Sequence, residues 1–338
     1  MDILDKRKQS ILKALITDYV STCEPVASQR LVSFYNFDVR SATIRSEMNE
    51  LASLGFLLQP HKSGGRIPTD LGYRFYVDNL LDKINLDKNI LNIVSKALKS
   101  KAEIEALIKS GCQMLSDITG FVAVASYPKI NNSKLKYIAV SDCFSNKKLF
   151  VLAFSNGYII HKIIDFNFKD KIYSFENAIN YLYSIFLDRE VDYIQSYKAL
   201  PCVYDDIIKA IKGIIEEYSE KFNFNTEYSY EGVGKILNYP EFKDLNKLQS
   251  MLAALENKDL LTDVFKYTSE EITVKIGSEN FNPFMKDYSL VSCCYKVGGI
   301  PAGVIGIIGP TRMDYAISIA GVEVISKNLG NMLTDLSS

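Results

Sequence analysis

The chain has 338 residues, 47% hydrophobic and 23% charged, with a formal net charge of −1. That length exceeds the roughly 250 to 300 residues a single core usually serves, and the composition is that of folded globular proteins, which excludes wholesale disorder and predicts two or three domains. The near-zero charge excludes a global basic field, and the six cysteines (23, 112, 143, 202, 293, 294) include no pair at the spacing of a zinc knuckle or thiol-exchange motif. A charged N-terminus and the lack of any apolar run near 20 residues predict a soluble, cytoplasmic protein with no membrane partner.

Residues 5–20 place Ile11, Leu12, Leu15, Ile16, Tyr19 and Val20 on one stripe of an amphipathic helix, which Glu24-Pro25 breaks. A short helix over about 26–34 follows, with Val26, Leu31 and Phe34 turned inward, and 36–40 reads as a turn. Residues 1–76 carry ten Lys/Arg against eight Asp/Glu, leaving 29 against 32 in the remainder. That contrast is too small to identify a partner.

The segment SATIRSEMNELASLG at 41–55 is more informative. Ile44, Met48, Leu51 and Ala52 form its inner face, while Ala42, Arg45, Ser46, Asn49 and Ser53 lie opposite. Ser41 suits the N-cap and Gly55 the stop. An outward face that is small and polar, with one Arg and one Asn, fits a major groove, where Arg suits guanine and Asn adenine. By itself it also fits an ordinary surface helix. A short strand at 56–58 and a basic glycine hairpin, HKSGGR at 61–66, follow directly, and the sequence of helix then basic hairpin is that of a winged helix-turn-helix, the hairpin touching phosphates or the minor groove. The candidate DNA-binding residues are Ser41, Ala42, Thr43, Arg45, Ser46, Asn49, His61, Lys62, Ser63, Gly64, Gly65 and Arg66. Thr69 then caps another helix, with Phe75, Val77, Leu80 and Leu81 available for packing.

Helical spacing resumes over 86–118. Strands are expected at 121–128, 134–143, 148–155 and 158–165, at least three of them in a meander, with His161 an ordinary sheet residue. Helices are expected over 174–222 and 245–267, strands at 271–276, 288–297 and 301–308, and a terminal helix over 313–334. Arg312, in the loop GPTRM, could meet an anion at a helix start or fix the strand-to-helix junction and an interdomain contact. No nucleophile elbow, phosphate-cradling loop, HExxH or metal cluster is present, and two histidines supply acid-base chemistry poorly, so neither enzyme activity, cofactor nor metal is expected.

The sequence resembles the HrcA family of heat-inducible transcription repressors, through EPVAS at 24–28, SATIRSEMNEL at 41–51, GFLLQPHKSGGRIPTDLGYRFYVD at 55–78, EGVGKILNYPEF at 231–242, VKIGSEN at 274–280 and GVIGIIGPTRMDY at 303–315. Ala27, Ala52 and Gly64 depart from the family's usual glycine, glutamate and alanine, and none is a residue expected to read a base. The resemblance implies an α+β multidomain fold: a winged helix over 1–82, a linker helix and the first part of a GAF-like α/β sheet domain over 83–165, an inserted helical dimerising part over 166–225, and the second part of the GAF-like domain over 226–338. It further implies a homodimer that represses groE- and dnaK-type chaperone operons at an inverted-repeat operator, fails on heating and recovers with the GroE chaperonin. A small-molecule effector in the GAF-like domain is the alternative.

Overall fold

The computed structural model describes residues 4–35, 37–60, 64–99, 103–128, 133–144, 147–155, 157–166, 175–198, 204–223 and 227–337. The chain opens with α1 (Lys6–Thr22), α2 (Ser28–Tyr35) and α3 (Ser41–Ser53), followed by the antiparallel pair β1 (Leu57–Leu58) and β2 (Ile67–Pro68), then α4 (Asp70–Phe75) running into a π-helical turn, Tyr76–Leu80. Asp5 caps α1 by accepting from the Lys8 N–H at 2.9 Å, and Ile11, Leu12, Leu15 and Ile16 are fully buried against Leu31, Ile44, Met48 and Leu51. Each such side chain contributes roughly 1.5 to 3 kcal/mol of burial. A buried carboxylate pins the first two helices together, Arg30 Nε donating to Asp18 at 2.6 Å.

Two local expectations need correction. Phe34 is 69% exposed beneath the Arg30 guanidinium, because Tyr35, four residues after Leu31, takes the inward position. Ser41 is the first residue of α3 and not its cap: Arg40 occupies the extended N-cap position without a side-chain bond, while the Ser41 hydroxyl is paired with that of Ser28 at 2.9 Å. Gly55 does terminate the helix, in the left-handed region at φ 84°.

The helical stretch 86–118 divides into α5 (Lys88–Lys99) and α6 (Ile104–Thr119), and β3 (Val122–Ser126) follows. Next come β4 (Leu135–Phe144), β5 (Lys147–Phe154) and β6 (Ile159–Asp165), then α7 (Phe175–Phe186), α8 (Val191–Ser196) and α9 (Asp205–Asn223). The last third comprises β7 (Tyr228–Glu231), 3-10 turns at Val233–Asn238 and Pro240–Lys243, α10 (Leu245–Glu256), α11 (Lys258–Phe265), β8 (Thr273–Ile276), β9 (Tyr288–Val297), β10 (Ile300–Pro310) and α12 (Tyr315–Ser337).

These strands form two separate sheets. Five antiparallel strands run in the order β7-β3-β10-β9-β8, whereas β4-β5-β6 pair only with one another among the described residues. The three strands at 135–165 form the expected meander, and the strand at 122–126 belongs to the other sheet, so the break between sheets falls between residues 126 and 135. Periodicity finds strands but carries no information on pairing partners. The strand β7, which pairs β3, lies in a stretch where no strand was expected.

Strict alternation gives the five-stranded sheet two buried faces. Ala123, Ala125, Val291, Cys293, Tyr295, Ile305 and Ile307 share a core with α6 and α12. Val122, Val124, Leu290 and Ile308 meet Phe242, Met251, Leu255, Leu261, Val264, Phe265 and Met285 on the other side. The result is a sheet sandwiched between helical layers. The small sheet covers one face with α7 to α9, through Ile138, Phe150, Leu152 and Ile160, and residues 188–191 run along β4 by backbone bonds from Leu135, Asp188 and Val191.

Candidate nucleic-acid interface

The outward face of α3 carries Ala42, Arg45, Ser46 and Asn49 in exposed positions, flanked by the half-buried Ser41 and Thr43. The acidic residues of α3, Glu47 and Glu50, are paired with basic residues of α1. Lys8 Nζ lies 2.8 Å from Asp5 and 3.0 Å from both Glu47 and Glu50, and Arg7 stands 3.5 Å from Glu47. These bonds hold the Lys8 ammonium well above its ordinary pKa. Arg45 is thereby the one cation of the outward face, with no hydrogen-bond or ion-pair partner among the described residues.

The hairpin is stitched to the segment between α1 and α2. Val26 and Arg66 exchange both backbone hydrogen bonds, each at 2.9 Å, forming an isolated antiparallel bridge beside the β1-β2 pair. Gly65 makes this approach possible, since a Cβ there would lie 2.5 Å from the Val26 carbonyl. With the Arg66 backbone fixed, its Nη2 reaches Asn49 Oδ1 at 2.5 Å, and a shallow cleft of about 170 Å³ opens between Arg45, Asn49, Gly64 and Arg66. The structure thus brings Arg45 and Asn49 together with Gly64, Gly65 and Arg66, while Ser41, Ala42, Thr43 and Ser46 lie on the same helix without lining that cleft. His61, Lys62 and Ser63 lie outside the described residues.

Arg312 sits elsewhere, 8% exposed at the junction of the N-terminal unit with the large sheet. Its guanidinium donates to both Glu241 oxygens and, at 3.1 Å, to the Val20 carbonyl at the end of α1, and lies over the Tyr239 ring. Burial disfavours the Arg312 charge, but the Glu241 carboxylate outweighs it and holds the guanidinium above its ordinary range. The rest of the junction escaped sequence reasoning. Arg74 donates to Glu279 at 2.8 and 2.7 Å and to the Val274 carbonyl at 2.6 Å. Asp70 accepts from the Ser278 N–H and hydroxyl at 2.8 and 2.7 Å, and Tyr73 packs against Tyr315 with centroids 5.9 Å apart. Gly277 adopts φ 48°, and a Cβ on it would strike the Asp70 carboxylate. Both partners lie in stretches that resemble the HrcA family, 55–78 and 274–280, but no local pattern in either points to the other.

No helix among the described residues is long and apolar enough to cross a membrane, and no group of His, Cys, Asp or Glu among them is arranged to hold a metal ion.

This mixed α/β architecture is shared along its whole length with a crystal structure of a hypothetical protein, which matches with TM-score 0.67 and 22% identity over 98% of this chain and 99% of that one. The likeness defines the fold class alone. Residues 105–319 match the model of the HrcA protein C-terminal domain. A curated relative, the heat-inducible transcription repressor HrcA of Thermoanaerobacter pseudethanolicus, is 37% identical over 98% of both chains, and its Bacillus pumilus counterpart 32% over 99% of both. The chain belongs to the HrcA family, a family of transcription repressors.

Proposed function

We propose that this chain is a heat-inducible repressor of chaperone operons that binds an inverted-repeat operator as a homodimer, one α3 in the major groove of each half-site. The N-terminal unit acts as a winged helix, with the β1-β2 hairpin as the wing. The observation that carries this reading is the arrangement of α3: one uncommitted cation, small polar neighbours, acidic residues tied back to α1, and a hairpin anchored alongside. The inverted repeat, inactivation by heat and recovery with the GroE chaperonin rest on the family resemblance, as does a cytoplasmic location.

The small sheet and α7 to α9 supply the dimerising part in this reading. Its support is the uncovered face of the meander, where the register sets Tyr137, Ala153 and Ile159 in one row, Ala139, Val151 and His161 in the next, and Ser141, Leu149 and Ile163 in the third. Ile159 is 63% and Ile163 47% exposed, and an apolar face of this kind suits a two-fold contact. The rest of the chain, from β3 and from β7 onward, is the GAF-like domain. The sheet face opposite α6 and α12 is filled by Phe242, Met251, Leu255, Phe265 and Met285, which favours the chaperonin-assisted reading over a small-molecule effector there.

Gel-shift titrations of matched and mismatched operators at two salt concentrations test the proposal. Arg45→Ala should lose roughly 1 to 3 kcal/mol of discrimination, while Lys62→Ala should weaken all complexes and flatten the salt slope by about one unit. Equal loss on both DNAs for Arg45→Ala would remove it as a base reader.

A further inference from the structure

Arg40 occupies a position for which its chemistry is poorly suited. At the N-cap of α3 it adopts extended backbone, φ −72° and ψ 152°, and makes no side-chain bond to the helix. The residues favoured there, Ser, Thr, Asn and Asp, accept from first-turn N–H groups; a guanidinium has only donors and adds positive charge to the positive end of the helix dipole. The Ser41 hydroxyl does not take over the cap, being paired with that of Ser28 at 2.9 Å. Arg40 is exposed and has no hydrogen-bond or ion-pair partner among the described residues, so nothing described within the chain offsets the local cost.

A docked duplex would supply the missing partner. Arg40 precedes the Ala42–Arg45–Ser46–Asn49 stripe and lies outside it, and the Ser28–Ser41 pair sets that end of α3 beside the first turn of α2, the helix that crosses the backbone when α3 lies in a major groove. A cation that flanks a base-facing stripe meets phosphate oxygens and not base edges. We propose that Arg40 is a DNA-backbone contact that takes one operator phosphate per half-site, retained at the helix end although it weakens the cap. The proposal rests on the DNA-binding reading above and deepens it.

The test pairs two measurements on the full chain: hydrogen exchange of the α3 amides without DNA, and fluorescence anisotropy titration of matched and mismatched operators over a salt series. Arg40→Ser supplies a capping hydroxyl and removes the charge, so α3 protection should rise about fivefold, while affinity for both duplexes falls about fivefold at roughly 0.15 M salt and the slope of log affinity against log salt flattens by about one. Arg40→Gln, which removes the charge without supplying a favoured cap, should lose the same affinity, and Arg40→Lys should keep the wild-type slope. Unchanged affinity and slope in Arg40→Ser and Arg40→Gln overturn the proposal. So does a loss confined to the matched operator, which would make Arg40 a base reader. Protection that fails to rise in Arg40→Ser also overturns it, because Arg40 would then have a partner within the chain. Wild type that binds neither duplex would sink the DNA-binding reading itself, a different failure.

Discussion

Arg74, in the last turn of α4, places two hydrogen bonds on the carboxylate of Glu279, 205 residues further along the chain. The same carboxylate accepts from the Ile276 N–H at 2.9 Å, so the anion is shared between the N-terminal unit and the turn that follows β8. The pairing holds the Arg74 guanidinium above its ordinary range. Orientation of α3 relative to the large sheet is therefore set by charge-assisted bonds at a few points, with Arg312–Glu241 as a second.

Removing one partner should loosen this junction without unfolding either side. Arg74→Ala and Glu279→Gln are each expected to cost about 1 to 2 kcal/mol in local opening, and the double variant little more than either alone. Hydrogen exchange at residues 70–78 and 274–280 reads the effect. Full additivity would show that the two side chains do not act on one another.

Gly65→Ala should separate DNA binding from stability. The added methyl would meet the Val26 backbone, so the hairpin must shift while the helical core of Ile44, Met48 and Leu51 stays in place. Operator affinity is expected to fall at least tenfold, while the midpoint of denaturant unfolding changes by less than about 1 kcal/mol in equivalent free energy. Unaltered affinity would mean that the hairpin position is irrelevant to binding.

Tyr73 offers a pH-dependent test. Its hydroxyl is buried and has no hydrogen-bond partner among the described residues, and burial pushes its pKa well above the usual 10.0. Tyr315 beside it is raised by burial as well. A group whose folded pKa is raised leaves stability intact below its unfolded value and erodes it above. Stability should thus be flat below pH 10 and fall beyond it, by up to about 1.4 kcal/mol per pH unit for each tyrosine. Tyr73→Phe should remove one tyrosine's share of that slope and, at neutral pH, be neutral or stabilising by about 1 kcal/mol, since no bond is lost. Marked destabilisation at neutral pH, measured by urea titration, would reveal a partner for the hydroxyl.

The meander face predicts assembly. Ile163→Glu or Ile159→Glu puts a charge at an exposed position, so the monomer fold should be unaffected. Because a two-fold contact counts each substitution twice, the dimer dissociation constant should rise on the order of a hundredfold. Sedimentation at several protein concentrations would detect it, and an unchanged constant would place the contact elsewhere.

Most of the elements, though not β7, and the polarity of α3 were legible in the amino-acid sequence. Helical spacing identified Ile44, Met48 and Leu51 as buried and Arg45 and Asn49 as outward, and alternation found the strands from 122 to 165, because both periods are properties of local backbone geometry. Three things were decided only by tertiary structure. The strands at 135–165 form a sheet of their own, since alternation is the same whatever the partner. Arg66 meets Asn49 because Val26, forty residues earlier, anchors the hairpin. Glu279 and Glu241 were ordinary acidic residues in the sequence, and became fixed points for Arg74 and Arg312 only when the chain closed on itself. A charge pair between distant segments leaves no periodic trace; its partners are chosen by the packing that brings them within reach.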